Sequence, residues 1–219
     1  MKESKIDLPS TLQFSERSAI KLLAIFCGSW CVFWWLLPTL LLSNTYIDIL
    51  ESIVWSSNLQ FGYDRNPYFG AWLTFGVWKL FGASIWPFYL MSQLCVLTCF
   101  LCVWKIARNF LTPAQALVSV MILAGVLSFG VRATEFNDDV LEIGLWSLTA
   151  LFHYRAIKFQ RLGDWLLMGL FAGLAFMTKY YGLVLFASMF IAMGATENGR
   201  DSFRKPGVYL SGLIVLLLA

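Results

Sequence analysis

Two pairs of acids stand out in a chain that carries little charge elsewhere: Asp48 with Glu51, and Asp138 with Asp139. Four carboxylates near one cavity could hold a divalent metal ion through oxygen ligands, or could keep one of their number as a general base for an acceptor hydroxyl. Spacing leaves both chemistries open. Asp48 and Glu51 stand at i and i+3, which puts them on one face of a helix, with Ile47, Leu50 and Val54 as the opposing apolar stripe. Asp138 and Asp139 close the polar stretch "RATEFNDD", which also holds Glu135 and Asn137, and acids at that point suit the N-terminus of the helix that follows. A cation completes the set. Lys179 is the single charge in the run from Trp165 to Gly194, and an ionisable residue at membrane depth is a functional candidate; the bland alternative is a lysine snorkelling to the interface.

The elements that must position these groups are membrane elements. Hydrophobic residues make up 59% of the chain, aromatics 17% and charged residues 13%, and the mean hydropathy is +0.70, outside the range of ordinary soluble domains. About 20 apolar residues in a helix cross the roughly 30 Å of hydrocarbon. Residues 22–42, 83–104 and 113–131 meet that test, and a shorter apolar stretch runs from about Val140 to Phe152. The predicted fold is an all-α, polytopic transmembrane bundle, with residues 1–21 as a tail and 22–219 as one membrane module. The tail is too long and too mixed in charge for the n-region of a secretory signal, and no small-residue cleavage site ends the first span. Cys27, Cys31, Cys95, Cys99 and Cys102 all fall inside predicted spans and read as packing residues, the C-x-x-C at 99–102 included.

Orientation follows the excess of Lys and Arg in cytoplasmic loops. Lys2, Lys5, Arg17, Lys21, Lys105, Arg108, Arg155, Lys158 and Arg161 fall in one alternate set of loops, against Arg65, Lys79 and Arg132 in the other. The N-terminus is therefore expected in the cytoplasm, and residues 43–82 and the "RATEFNDD" loop on the outer face. As one helix, residues 165–194 would be ~45 Å long and would carry Arg200, Arg204 and Lys205 outward. As two short helices turning at "TKYYG", with Gly182 in the turn, they return those residues to the cytoplasm. Broken helices at membrane depth are tolerated where they line a polar cavity. The last run, Val208 to Ala219, stops inside what should be a span, and a truncated chain is the expectation.

In the first outer loop, the acidic amphipathic segment is expected to lie along the membrane surface. "GYDRNP" makes a turn, and a second surface helix with Trp72, Phe75, Trp78 and Phe81 anchors at the interface. His153, the single histidine, is expected at the cytoplasmic interface.

The order of these features carries a resemblance. "D-x-x-E…W…Q-x-GY….P…AW", then "FN-x-D-x-L….LW", then "GL-x-AGLAFMTKY" resembles the N-terminal half of the GT-C membrane glycosyltransferases, and among them the bacterial relatives of protein mannosyltransferases, aminoarabinose lipid A transferases and lipopolysaccharide galacturonosyltransferases. It covers about Thr45 to Met193. The resemblance implies an enzyme of the bacterial inner membrane that takes a sugar from a polyprenyl-phosphate carrier and passes it, with inversion, to a lipid, glycan or protein acceptor at the periplasmic face. Membrane lipids are its surroundings, and no nucleic acid is expected. The same resemblance makes Asp48 the favoured base with Glu51 beside it, puts Asp139 in the second acidic motif with Asn137 and Asp138, and matches Lys179 and Tyr180 to a site for the carrier phosphate. Many relatives read His-Pro-Pro where this chain has Asn66, Pro67 and Tyr68, so any role of that histidine is either absent or taken by Arg65 or Asn66, with Tyr63 in the same turn. A divalent metal ion is the one cofactor expected, with Asp48, Glu51, Asp138 and Asp139 as its ligands. Two rival readings are a transporter or flippase-like protein, since broken helices and intramembrane charge also mark transport sites, and an inactive fragment of the transferase.

Overall fold

The computed structural model describes residues 15–219. Lys2 and Lys5 of the tail lie outside the described residues. Every regular element among the described residues is helical: α1 (Glu16–Leu41), α2 (Ile47–Ser56), α3 (Phe69–Phe81), α4 (Trp86–Ala107), α5 (Pro113–Ala124), α6 (Asp138–Phe159), α7 (Leu162–Phe176), α8 (Gly182–Ala195), α9 (Glu197–Ser202) and α10 (Pro206–Leu218). The boundaries follow local chemistry. Ser15 caps α1 by accepting from the Ser18 amide. Thr112 and Gln115 form a capping box at the start of α5, which satisfies two amides that would otherwise be orphaned. Gly82, at φ 64°, ends α3 in a conformation that a side chain would oppose.

α1 and α4 are long and apolar enough to cross a membrane, and a third span is reached only if the bent pair from Pro113 to Thr134 is counted as one. That bend corrects the expectation of a continuous helix over 113–131. The chain turns by 86° after α5 and continues as two short 3-10 turns, Leu127–Phe129 and Val131–Thr134. Gly125 and Gly130 flank the break, and the Trp30 indole donates to the Phe129 carbonyl at 3.2 Å, which holds the turned segment against α1. The fourth apolar stretch is longer than expected. It is the 22-residue α6, whose N-cap is Asn137 and whose end is Gln160 at φ 54°. The chain also breaks where expected, at residues 177–181 between α7 and α8. Helix α1 begins at Glu16, so the step from tail to membrane module falls within a helix rather than ahead of it.

Helix α6 sits at the centre, packed on α4 on one side and α7 on the other, while α1 covers α4 and α10 covers α7. Glycines permit the closest approaches. A Cβ at Gly144 would meet the Cys95 backbone at 3.3 Å, and one at Gly169 would meet the Ser211 carbonyl oxygen at 2.7 Å. Small residues at helix interfaces let backbones meet in this way. The outward stripe of α2 is as the sequence predicts, with Ile47, Leu50 and Val54 exposed and Ile49, Ser52 and Ser56 turned inward. His153 departs from expectation. It is buried rather than interfacial, with neither ring nitrogen hydrogen-bonded, against an apolar cavity shared with Met168, Met189 and Met193.

The charged groups separate to two ends. At one end, Arg108 pairs with Glu16, Lys158 donates to Asn109 at 2.7 Å, Arg155 pairs with Asp164 at 2.7 Å, and Gln160 donates to Ser202 of α9 at 2.7 Å. The last contact brings the helix that carries Arg200 to the same end as Lys158 and Arg161. Asp48, Asp138 and Asp139 lie at the other end, with Lys179 among them.

Candidate active site

Four segments remote in sequence meet at the acidic end. They are α2, the turn before α3, the N-terminus of α6, and the break between α7 and α8. Asn137 is the joint between the first and third. Its side-chain oxygen accepts from the Val140 amide at 3.0 Å, capping α6, and its amide nitrogen donates to Asp48 Oδ2 at 3.0 Å. One residue thus starts a helix and orients a carboxylate 89 positions away.

Asn66, from the turn, donates to Asp138 Oδ2 at 2.5 Å. The other oxygen of Asp138 lies over Gly70, where a Cβ would fall 2.3 Å from Oδ1; a side chain there would push the carboxylate aside. The first turn of α3 is tied in turn to the helix break, since the Phe69 amide donates to the Met177 carbonyl at 2.9 Å. Two residues further along the break, Lys179 forms an ion pair with Asp139. Its ammonium also lies 5.1 Å from the centre of the Tyr181 ring.

Burial raises the Asp138 carboxyl from an ordinary 3.8 to about 6; Lys179 pulls against this, and Asp139, Asp48 and Glu51 add to it. Burial acts to lower Lys179, but the hydrogen bond and charge of Asp139 outweigh it and hold the ammonium above its ordinary value. Glu51 and Arg65 stand 4.0 Å apart with the arginine 77% exposed, a contact of little energetic weight.

Of the residues singled out in the sequence, Asp48, Asn66, Asn137, Asp138, Asp139 and Lys179 are brought together, with Glu51 and Arg65 at the rim. Tyr63 is occupied within its own loop: its hydroxyl donates to the Asn58 carbonyl at 3.1 Å and its ring stacks on Trp55. Tyr180 is exposed, its ring edge-on to Phe176. Two residues were missed. Gly70 gave no signal apart from lying in the turn region. Glu142 did give one, because it follows Asp138 by four positions and Asp139 by three and so shares their face of α6.

Among the described residues no three His, Cys, Asp or Glu side chains converge on a point that could hold a metal ion. Asp48, Glu51, Asp138 and Asp139 are instead directed to Asn137, Arg65, Asn66 and Lys179 respectively. The arrangement does not fit the divalent ion that their chemistry allows, and no step below passes through one.

Comparison with known proteins adds an independent line. Over 166 residues the chain is 28% identical to the lipid A galacturonosyltransferase RgtD of Rhizobium johnstonii, covering 74% of this chain and 34% of that protein. Over 150 residues it is 27% identical to the lipopolysaccharide core galacturonosyltransferase RgtB of the same organism, covering 67% of this chain and 30% of that one. The chain thus spans about a third of the length of these relatives. No solved structure matches it. The apolar helices and these relatives together make this a membrane protein. The family profile for dolichyl-phosphate-mannose-protein mannosyltransferases matches residues 65–219, a stretch that includes Asn66, Asn137 to Asp139 and Lys179, and the chain belongs to that family.

Proposed function

We propose that the protein is a glycosyltransferase that moves a sugar from a polyprenyl-phosphate carrier to a lipid, glycan or protein acceptor. It works at the periplasmic face of a bacterial inner membrane, with its N-terminus in the cytoplasm. The observation that carries this reading is the meeting of Asp48, Asp138 and Asp139 with Lys179 at a helix break. A base and a cation at one membrane face are what an inverting transfer from a lipid phosphate requires.

In the transfer, the acceptor oxygen attacks the anomeric carbon of the donor sugar from the face opposite the phosphate. The new carbon–oxygen bond forms as the bond to the phosphate oxygen breaks, and the acceptor's proton passes to Asp48 as general base. The Asn137 amide holds Asp48 by one oxygen, which leaves the other free for that proton. The departing phosphate gains negative charge, and a fixed cation such as Lys179 stabilises it most when water is excluded. Asp139 keeps Lys179 charged and in place, and Asp138, held by Asn66, borders the sugar. The names of the relatives favour a lipid A or lipopolysaccharide acceptor.

The test is Asp48→Asn in the full-length protein, assayed for transfer from a polyprenyl-phosphate sugar. A missing general base costs about 10²–10⁴ in rate, and a loss in that range with donor binding retained is expected. Turnover at the wild-type rate would rule out Asp48 as the base.

A further inference from the structure

Gly70 has no side chain with which to do chemistry, yet it decides where a carboxylate of the site can stand. It is buried in the first turn of α3. Its own helix and chain neighbours apart, the one group among the described residues that a Cβ there would meet within 4 Å is the Asp138 carboxyl, with Oδ1 at 2.3 Å and Cγ at 3.4 Å. Real Cβ atoms essentially never come closer than 3.0 Å, so a side chain at position 70 forces something to move.

The backbones on both sides are held. The Phe69 amide donates to the Met177 carbonyl at 2.9 Å and the Trp72 amide to the Tyr68 carbonyl at 3.0 Å, which fixes the turn of α3. Asp138 opens α6 directly behind the Asn137 cap, whose side chain accepts from the Val140 amide at 3.0 Å. What is left to yield is the Asp138 side chain, and a change of its rotamer costs less than a shift of either helix. Such a change gives up the bond in which Asn66 donates to Oδ2 at 2.5 Å, because that bond and the contact of Oδ1 with Gly70 are made in one side-chain orientation. We propose that Gly70 is a positioning residue for Asp138. Its missing Cβ is the seat into which Oδ1 turns, and together with Asn66 on Oδ2 it sets the orientation in which the carboxylate meets the donor sugar. The bond from Phe69 to Met177 makes the same turn of α3 a support for the break that carries Lys179.

The identity of the sugar rests on the proposed function, and the dependence of Asp138 on Gly70 does not. The experiment is a double-mutant cycle in the full-length protein, with Gly70→Ala, Asp138→Ala and both together. Asp138→Ala removes the atoms that a Cβ at position 70 would meet and leaves Asp48 in place. The cycle is read in two ways: the KM and kcat for a polyprenyl-phosphate sugar, and the melting temperature in detergent without donor. Residues in contact give non-additive effects, and independent ones add. Gly70→Ala is expected to raise the donor KM about tenfold with kcat changed by less than about twofold, since Asp138 borders the sugar and is not the base, and to do neither once Asp138 is Ala. In melting, Gly70→Ala should lower the midpoint by about 3 °C when the carboxylate is present and loses Asn66. With Asp138 already Ala it should leave the midpoint unchanged or raise it by about 2 °C, because alanine favours a helix over glycine. Equal effects of Gly70→Ala in both backgrounds, on KM and on melting, would overturn the proposal, and so would a Gly70→Ala protein with the wild-type KM and an undiminished midpoint. A wild-type protein that uses no lipid-phosphate sugar sinks the functional reading, and the melting cycle then decides the dependence of Asp138 on Gly70 by itself.

Discussion

Asp138 is fixed by three neighbours with different demands. Asn66 donates to one oxygen, Gly70 gives space to the other, and a surrounding of carboxylates opposes its charge. Burial is the largest of the forces on its proton, and it moves the carboxyl from 3.8 to about 6. An acid whose folded value lies above its unfolded one binds a proton more tightly when folded. Its contribution to stability is therefore complete below about pH 4 and is lost as the pH rises through 6. A shift of that size corresponds to on the order of 3 kcal/mol. Asp138→Asn keeps an acceptor for Asn66 and removes the titration, so the stability of wild type relative to the variant should fall between pH 4 and pH 7 and then level off. Melting of the two proteins in the same detergent across that range measures it. A difference that stays flat with pH would mean that Asp138 is solvated in the folded protein and titrates as an ordinary carboxylate.

At the scale of elements, helix ends do most of the assembling. α6 begins at Asn137, and the same side chain both caps the helix and orients Asp48. These two jobs separate by substitution. Asn137→Asp keeps the capping acceptor, loses the donor to Asp48 and sets two carboxylates face to face; Asn137→Ala loses cap and donor alike. The alanine variant should lose about 1 kcal/mol of stability from the missing cap. The aspartate variant should retain the helix yet transfer sugar as poorly as alanine does, with thermal melting and transfer assays as the two readouts. Wild-type transfer by Asn137→Asp would detach the cap from the chemistry. What was legible in the sequence follows the same division. Helices α2 and α3, the turn between them, the break at 177–181 and the acids at the head of α6 were all readable, because each rests on local pattern: apolar period, proline, glycine and charge. The bend after α5 was not. Its residues are as apolar as a continuous span, and what turns them is a set of tertiary contacts from Trp30 and Gln93 to the Phe129 and Ala133 carbonyls. Glu142 and Gly70 were missed for a related reason, since a buried unpaired oxygen and a missing Cβ gain meaning only once a neighbour is in place.

For the molecule as a whole, the placing of Arg200, Arg204 and Lys205 at the end opposite Asp48 and Asp138 is the organising fact, and the helix break decides it. Had residues 165–194 formed one straight helix, the chain would deliver Arg200, Arg204 and Lys205 to the end that holds Asp48 and Asp138. Instead α7 and α8 fold back on each other across residues 177–181, Gln160 meets Ser202, and the basic residues gather with Lys158 and Arg161. Positive residues stay on the cytoplasmic side, so the acidic end faces outward in the proposed orientation, and Lys179 lies at the outer turn. Labelling from one side of the membrane tests this directly. Ser57 and Asn198 are both exposed and belong to opposite ends, while the five native cysteines are buried or half-buried within α1 and α4. In intact cells a membrane-impermeant maleimide should modify Ser57→Cys and leave Asn198→Cys untouched until the membrane is permeabilised, with the unsubstituted protein as the background. The opposite pattern would put the acids on the cytoplasmic side, where a periplasmic acceptor could not reach them. Labelling of both from outside would mean that α7 and α8 do not return the chain across the membrane.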